Sequence, residues 1–517
     1  MNANAPEFTP DPEAVVRAPD VGPAGQPSLN ATLGLPGGFR PSGNLYSTYP
    51  GDLETPATDG IDRLMDSTSL PRVTVEPDFV TLSATGTTNI THDEPQDAET
   101  TVTSVDIGGK TYVVTSFYKW DHQIGNTTFA RMHYRTSDGT TAWTGVLPLP
   151  SGYDQSSYDP YLGVNPYSNG VFPRTVYLVG NAKKGSNVAV VGWRSQDGGR
   201  HWQGPITIAT GDTDVDKPHI AVSWHPGTRG WIYVGYRDQA GKLVVKRSQN
   251  GGASFFGPYT ITSHNSPNIN GLQLLVSPYS GYVYALWTDF TDDRIYLAFS
   301  SNHGTTWSAP VVFPNTNTPA HNLMFGNLNH IFRAPSFPIA RLNWAAGNGS
   351  GRISVVWHEC NTPPKDNHQY YGIKDLKKDC SFSYQHTDVY YASVWLNGST
   401  NKVKINSSTV RDQFSPALDF DANGNILVTF YDRRDDPSNI DYRLYRARID
   451  ENGQPLQSNV AVSNFASTPQ SGWGVPYFIG DYHETWMTPV NGIDTWYSCW
   501  TGESNNNADI FLSTIQP

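Results

Sequence analysis

The amino-acid sequence predicts an all-β fold, a β-propeller of four-stranded antiparallel blades preceded by an extended N-terminal arm. Glycine and proline together supply 85 of the 517 residues, and Trp, Tyr and Phe supply 64. This mixture favours strands and turns over helices. In addition, one short phrase recurs between apolar runs, with starts 52 to 59 residues apart. A repeat of this length that contains four strands is typical of a propeller.

The first segment of the chain differs in composition from the rest. Residues 1–75 are rich in Pro, Gly, Ser and Asp and show no apolar period. Such a composition buries too little apolar surface to form a core, so it predicts an extended arm. From residue 76 to 517, short alternating runs of Val, Ile, Tyr and Trp separated by turn residues predict strands. The domain boundary is therefore placed after residue 75.

The recurring phrase reads Ser-x-Asp/Asn-x-Gly-x-x-aromatic. It occurs at Ser195–Trp202, Ser248–Phe255 and Ser300–Trp307, with a looser copy at Thr136–Trp143. Each copy joins two apolar strands, which predicts a hairpin turn. In such a turn the Asp or Asn side chain accepts backbone N–H groups, glycine supplies a positive φ, and the aromatic side chain folds back onto the sheet.

The number of blades follows from a second pattern, a polar residue that leads into a short apolar strand. It occurs seven times, near Glu99, Asp159, Asp216, Asn270, Arg333, Asp412 and Ile479. Seven blades are therefore predicted, with six as the alternative because the repeat from 333 to 411 has a degraded turn. The last repeat ends on its third strand, at Ala508–Ile515. Pro77–Ser83 is predicted to supply the missing outer strand and so to close the ring.

The repeated turn phrase resembles the Asp-box, or bacterial neuraminidase repeat, of the sialidase superfamily. Two later segments, Phe430–Pro437 and Phe478–Tyr482, look like those of bacterial sialidase-like proteins. The resemblance covers residues 76–517 and implies a propeller whose Asp-boxes are structural and lie away from the ligand face. It also implies a glycoside hydrolase that acts on an acidic or complex glycan. Sialidases use three arginines on the substrate carboxylate, a Tyr–Glu nucleophile pair and an Asp acid/base.

Strand alternation predicts where the chemistry lies. The start of each inner strand and the end of each second strand fall on one face, opposite the repeated turns, and carry carboxylates, arginines and aromatic residues. This combination suits sugar binding and glycosidic cleavage. The candidate catalytic residues are Asp216, Asp432, Tyr431 and Glu359. The candidate substrate-binding residues are Arg237, Arg333, Arg433, Asp412, Asp481, His483 and Trp120.

These candidates admit more than one role. The two aspartates are possible reactive carboxylates, the tyrosine could be activated by Asp432 or Glu359, and the three arginines could converge as an anion clamp. Each residue could instead cap a strand end or join a salt-linked loop. His219, His358 and His483 would suit proton abstraction by a polysaccharide lyase. A non-catalytic glycan-binding or adhesion propeller is the alternative from a different class.

Charge and composition exclude several partners. With 35 Lys+Arg against 47 Asp+Glu, the net charge of −12 disfavours nucleic acid. No apolar stretch reaches the length of a membrane helix, no signal peptide is visible, and no cofactor or metal site is predicted. Cys360 and Cys380 could form a local disulfide or remain free thiols. We expect an extracellular or cell-surface location, with possible assembly through the arm.

Overall fold

The computed structural model describes residues 86–91 and 96–517, together with the isolated pairs 72–73 and 77–78. Its internal gaps are 169–171, 214, 263–267, 329–331, 344–351, 367–377, 381–384, 396–397, 409, 470–477 and 505–506. Most of the predicted arm, residues 1–71, lies outside the described residues. The described residues form strands and no helix, and therefore no helix that is long and apolar enough to cross a membrane.

The first four blades are regular. Three short strands precede them: β1 (Arg72–Val73), β2 (Pro77–Asp78) and β3 (Gly86–Asn89). Blade 1 contains β4 (Asp97–Ile107), β5 (Lys110–Ile124), β6 (Thr127–Ser137) and β7 (Ala142–Val146). Blade 2 contains β8 (Ser156–Asn165), β9 (Thr175–Lys184), β10 (Asn187–Ser195) and β11 (Trp202–Gly211). Blade 3 contains β12 (Asp216–Val222), β13 (Ile232–Arg237), β14 (Leu243–Ser248) and β15 (Phe256–Thr260), and blade 4 contains β16 (Ile269–Val276), β17 (Val283–Asp289), β18 (Arg294–Ser300) and β19 (Val311–Phe313).

Blade 5 is interrupted by small hairpins. The strands β20 (Asn327–Leu328) and β21 (Phe332–Arg333) pair before it, and β24 (Lys365–Asp366) and β25 (Lys378–Asp379) pair within it. Its own strands are β22 (Ile339–Asn343), β23 (Arg352–Cys360), β26 (Thr387–Trp395), β27 (Gly398–Ser399) and β28 (Val403–Lys404). Cys360 and Cys380 are disulfide-bonded across the insertion, whereas Cys499 is free and buried.

The last two blades complete a closed ring. Blade 6 contains β29 (Gln413–Phe420), β30 (Ile426–Asp432), β31 (Arg443–Ile449) and β32 (Pro455–Ala461), and blade 7 contains β33 (Glu484–Val490), β34 (Ile493–Ser504) and β35 (Asn507–Ile515). The strands pair antiparallel within each blade. The inner strands contact one another around the axis in the order β4, β8, β12, β16, β22, β29 and β33, and β33 returns to β4. The fold is therefore the predicted propeller, with seven blades.

The strand that closes the ring is β3, so the prediction that Pro77–Ser83 would do this was wrong. β3 pairs antiparallel with Phe511–Thr514 of β35, and Ile90 N–H donates to Ile510 O at 2.8 Å. Pro77–Asp78 instead pairs with β7 of blade 1, and β1 pairs with β11 of blade 2. The outer strand of a blade is partly exposed and need not be apolar. A search for an apolar run therefore passes over the polar β3.

The repeated turns have the predicted geometry. In the first turn Gly199 N–H donates to Ser195 Oγ at 2.8 Å, His201 N–H donates to Asp197 Oδ1 at 2.9 Å, and φ of Gly199 is 86°. Trp202 is fully buried, and its indole N–H donates to Gly199 O. The same glycine-to-serine bond recurs at 2.9 Å and 2.8 Å in the turns that begin at residues 248 and 300. These turns join the third and fourth strands of their blades.

A β-bulge recurs near the start of five inner strands. At each bulge the pairing register shifts, and one residue has φ between 43° and 69°. These residues are Glu99, Asp159, Lys217, Gly271 and Ser415. A bulge changes the direction of a side chain relative to a regular strand. In blades 1 to 3 it brings together the charged groups described next.

Candidate functional site

Lys217 lies at the centre of a charged cluster at the start of the inner strands. Its Nζ is 2.6 Å from Glu99 Oε1, 2.5 Å from Asp159 Oδ1 and 2.9 Å from Asp481 Oδ2. The lysine side chain is 11% exposed and the three carboxylates are buried. Because these residues belong to blades 1, 2, 3 and 7, one ammonium group ties four segments of the ring together.

Arg333 and Asp216 extend this cluster. Arg333 Nη2 is ion-paired with Asp481, and the guanidinium lies between the rings of Phe325 and Phe478, at 5.3 Å and 5.4 Å from their centroids. The side chain of Arg333 is 24% exposed, compared with 11% for Lys217. Asp216 is partly exposed, and its Oδ2 accepts a bond from Asn270 at 2.9 Å. The axial cluster is defined as Glu99, Asp159, Asp216, Lys217, Arg333 and Asp481.

The carboxyl groups of the axial cluster differ in the direction in which their pKa values are shifted. Burial raises the pKa of Glu99 well above its ordinary value, and burial together with the charge of Asp159 raises the pKa of Asp216. Burial would also raise the pKa of Asp159, but the charge of Lys217 and hydrogen bonds hold it below its ordinary value. Burial would lower the pKa of Lys217, but Asp159 and the other carboxylates raise it well above its usual range. As pH rises, Asp159 therefore ionises before Glu99 and Asp216.

Several predicted residues do meet at this place. Asp216, Arg333 and Asp481 belong to the axial cluster, as the alternation of strands predicts. Arg237 is the ladder partner of Asp216 on β13. Trp120 lies at the margin, edge-on to Tyr118 at 4.8 Å, and the pKa of Tyr118 is raised by burial and by Glu99.

The predicted three-arginine clamp is not formed. Arg433 Nη1 bonds to Asp412 Oδ2 at 3.1 Å, and both side chains are fully buried. Asn439 also donates to this carboxylate, at 2.7 Å. Arg433 and Asp412 therefore pair in the interior of the fold. Sequence could not show this, because the same residue types serve a ligand site and a buried ion pair equally well.

The other candidates from blades 5 to 7 are also engaged within the fold. Asp432 binds the guanidinium of Arg434 and accepts from Gln413 at 3.2 Å. Tyr431 is buried, and its hydroxyl accepts the Thr501 N–H at 3.0 Å rather than contacting a carboxylate. The proposed Tyr431 pair with Asp432 or Glu359 is therefore absent.

Glu359 and the histidines occupy buried positions apart from the axial cluster. Glu359 binds Lys402 at 2.6 Å and accepts from the Trp357 indole at 2.9 Å. His483 bonds to Thr429 Oγ1 at 3.0 Å. Burial lowers the pKa of His358 to about 4 and that of His483 to about 3. The described residues contain no group of three or more His, Cys, Asp or Glu that could hold a metal ion.

Glu99, Asp159 and Lys217 are site residues that were not predicted from the sequence. A signal was present, because a proline directly follows the bulge residue in three blades, at Asp159-Pro160, Lys217-Pro218 and Ser415-Pro416. Aligning the blades on this dipeptide would have placed Asp159 and Lys217 of blades 2 and 3 at equivalent positions, whereas Glu99 of blade 1 is followed by Thr100 and lacks this signal.

Comparison with known proteins finds distant structural likenesses only. Neither a protein-family model nor a curated protein sequence matches the chain significantly. Among solved structures, a Dyadobacter fermentans protein of unknown function is 11% identical, with 86% of this chain and 99% of that chain covered and a TM-score of 0.39. The intramolecular trans-sialidase of Ruminococcus gnavus is 9% identical, with 70% and 96% covered and a TM-score of 0.45. The α-L-arabinanase of Penicillium chrysogenum is 12% identical, with 86% and 98% covered and a TM-score of 0.41.

Proposed function

We propose that the chain is a glycoside hydrolase whose reactive groups belong to the axial cluster, with Asp216 as general acid and Asp159 as the ionised carboxylate. The observation that carries this proposal is the different contacts of the two carboxyl groups: Asp159 Oδ1 lies 2.5 Å from Lys217 Nζ, whereas Asp216, which is partly exposed, bonds to Asn270. The directions of the two pKa shifts agree with these contacts. The pKa of Asp216 is raised by burial, and that of Asp159 is lowered chiefly by the lysine. Two carboxyl groups with separated pKa values are what acid–base cleavage of a glycosidic bond requires.

The steps follow from these protonation states. Asp216 gives its proton to the glycosidic oxygen as the bond from that oxygen to the anomeric carbon breaks. The carboxylate of Asp159 stabilises the positive charge that develops on the sugar ring, or bonds to its anomeric carbon. Water then supplies a hydroxyl group to that carbon, any bond from the carbon to Asp159 breaks to release the carboxylate, and the remaining proton of the water returns to Asp216. Lys217 keeps Asp159 ionised throughout.

The charge of the axial cluster favours a neutral sugar unit of a complex glycan over an acidic one. Four carboxyl groups surround two cations, and both cations already contact carboxylates. An acidic sugar would add a further negative charge without a free arginine to receive it. An extracellular location forms part of the proposal, supported by the Cys360–Cys380 disulfide, because such bonds persist in oxidising compartments.

The test is a turnover assay on the full chain with neutral and acidic polysaccharides, scored as new reducing ends. We expect release from a neutral glycan, and Asp216→Asn should lower kcat about 10²–10⁴-fold because the proton donor is lost. Asp432→Asn is the matched control, since that carboxylate is ion-paired outside the axial cluster. Equal activity of both variants per folded molecule would remove Asp216 from the reaction.

A non-catalytic glycan-binding propeller is the second candidate. The observation that favours it is the full engagement of Lys217 by three buried carboxylates, which resembles a structural ion cluster. Under this function the wild-type protein binds a glycan without any release of reducing ends. The turnover assay combined with a binding measurement on the same glycan therefore separates the two functions.

A further inference from the structure

A cavity of about 120 Å³ lies on the propeller axis, further along the inner strands than the axial cluster. Apolar residues form most of its wall, and the lining also includes four charged or ionisable side chains and two indoles, His219, Arg341, Asp419, Glu484, Trp224 and Trp486. The volume is about eight times the ~15 Å³ that admits one water, which is room for an organic ligand the size of a sugar ring.

Aromatic rings separate this cavity from the axial cluster. The ring of Tyr161 lies 4.0 Å from His219 and 5.8 Å from Tyr482, and Lys217 Nζ lies 5.3 Å from the Tyr482 ring on the side of the cluster. The two places share the inner strands but present different side chains. A ligand in the cavity would therefore contact residues that the proposed reaction does not use.

Two buried donors in the cavity wall lack a well-aligned acceptor, although Gln273 lies beside His219 and Tyr161 beside Arg341. The Nδ1 of His219 accepts the Leu274 N–H at 3.2 Å, so the neutral ring carries its proton on Nε2. This Nε2 has no hydrogen-bond partner of acceptable geometry among the described residues, and neither has Nε of Arg341, whose Nη2 binds Glu484. Unpaired buried donors are costly. An occupant of the cavity that supplies acceptor oxygens would therefore satisfy both donors.

The same wall also supplies acceptors. Asp419 receives the Phe420 N–H at 2.9 Å and the Met487 N–H at 2.7 Å, and each carboxylate oxygen retains a further lone pair. A hydroxyl group can accept from the histidine and donate to a carboxylate at the same time. One arginine against the carboxyl groups of Asp419 and Glu484 disfavours an anionic ligand.

Two indole side chains hold fixed positions in the cavity wall. The N–H of Trp224 donates to Val164 O at 2.9 Å and that of Trp486 donates to Ser104 Oγ at 2.9 Å, so both rings are held in place. Fixed aromatic faces beside hydrogen-bonding groups suit a molecule that has hydroxyls on its edge and C–H groups on its face.

We propose that this axial cavity is a second carbohydrate site, which binds one neutral sugar unit through His219, Arg341 and Asp419. It goes beyond the proposed hydrolysis, because binding here needs none of the residues of the axial cluster. The site would hold a glycan chain or a released sugar on the side of the propeller that carries the repeated turns.

The test measures binding of neutral methyl glycosides of glucose, galactose and N-acetylglucosamine to the full chain by calorimetry, with methyl glucuronide as the acidic comparison. His219→Phe keeps a ring and removes the free donor, so we expect a Kd at least about tenfold weaker for the bound neutral glycoside. His358→Phe is the matched control. That histidine is equally buried and also accepts a backbone N–H, from Ser415 at 3.3 Å, but it does not line the cavity. Melting curves establish that each variant is folded.

Each outcome decides the proposal. Weaker binding in His219→Phe, with His358→Phe and Asp216→Asn unchanged, supports it. Absence of binding by all three neutral glycosides overturns it, and so does equal binding by His219→Phe. Binding that is lost in Asp216→Asn and retained in His219→Phe overturns the second site but leaves the proposed function standing. Conversely, the wild-type protein could show no turnover while His219→Phe loses glycoside binding. That result supports the cavity site and rejects the proposed hydrolysis. If His219→Phe does not fold, a crystal soaked with the glycoside decides by the presence or absence of a sugar in the cavity.

Discussion

At the scale of single residues, Lys217 determines the character of the axial cluster. Without its ammonium group, Glu99, Asp159 and Asp481 would face one another as buried carboxylates with Arg333 as the remaining cation. A buried charge that loses its partner costs far more than an exposed one, because water cannot replace the lost interaction.

Lys217→Met should therefore lower the free energy of unfolding at pH 7 by about 3–5 kcal/mol. In the variant the pKa values of the three carboxyl groups rise in the folded state. Its stability deficit should therefore be smallest near pH 4, and it should grow as pH rises. Denaturant unfolding of wild type and variant between pH 4 and 8 measures this. Lys246→Met is the control, because Lys246 Nζ bonds to a backbone carbonyl oxygen, that of Ile208, and to no carboxylate of the cluster. If Lys217→Met lost no more unfolding free energy than this control, the cluster would not depend on Lys217.

Asp419 in the axial cavity supplies a second residue-scale prediction. Burial raises its pKa to about 6, whereas an unfolded aspartate titrates near 3.9. The folded state therefore binds more protons between these values, and stability falls as pH rises from about 4 to about 6, by roughly 3 kcal/mol. Asp419→Asn should lack this slope, although it loses an acceptor at every pH. Parallel slopes for wild type and variant in unfolding experiments would contradict the assignment.

At the scale of structural elements, the closing strand β3 carries a prediction that differs from the one sequence supports. Besides its ladder with β35, Asn89 Nδ2 donates to Asp509 Oδ2 at 2.8 Å and Thr91 N–H donates to Asn89 Oδ1 at 3.0 Å. Removing this strand leaves an unpaired edge on the last blade, and exposed edges promote aggregation.

Deletion of residues 1–95 should therefore lower Tm by about 5 °C or more and reduce solubility. Deletion of residues 1–85 removes β1 and β2 but keeps β3, and it should have a much smaller effect. Calorimetric melting and light scattering on the two truncated chains provide the comparison. Closely similar melting of both would mean that β3 does not close the ring.

The repeated turns could be predicted from the sequence, whereas the bulges were harder to predict. The turn phrase was predictable because its serine, glycine and aromatic positions are fixed by local hydrogen bonds, such as Gly199 N–H to Ser195 Oγ. The bulge residues were harder to identify, because Glu99, Asp159 and Lys217 gain their importance only when three blades meet. Arg433 and Asp412 flank paired strands of a single blade, so they are neighbours within the hairpin, and only the depth of their burial depends on the surrounding packing.

At the scale of the whole molecule, the ring geometry explains both proposed sites. Seven inner strands converge on one axis, so residues distant in sequence, such as Glu99 and Asp481, meet at one end of it. Further along the same strands His219, Arg341 and Glu484 meet in the cavity. The blade count and the face that carries the carboxylates were predictable from repeats and alternation. The pairing of particular charges was not, because it depends on which blades are neighbours and on how deeply each side chain is buried.

The central claim is that the axial cluster is the place where the glycan is held for reaction. The most direct measurement is a crystal structure of the full-length Asp216→Asn variant soaked with a neutral oligosaccharide that the wild-type protein cleaves or binds. We expect a sugar unit in contact with Asp159, Lys217 and Arg333, with its glycosidic oxygen beside residue 216. An oligosaccharide bound only elsewhere on the propeller, with the axial cluster unchanged and empty, would contradict it.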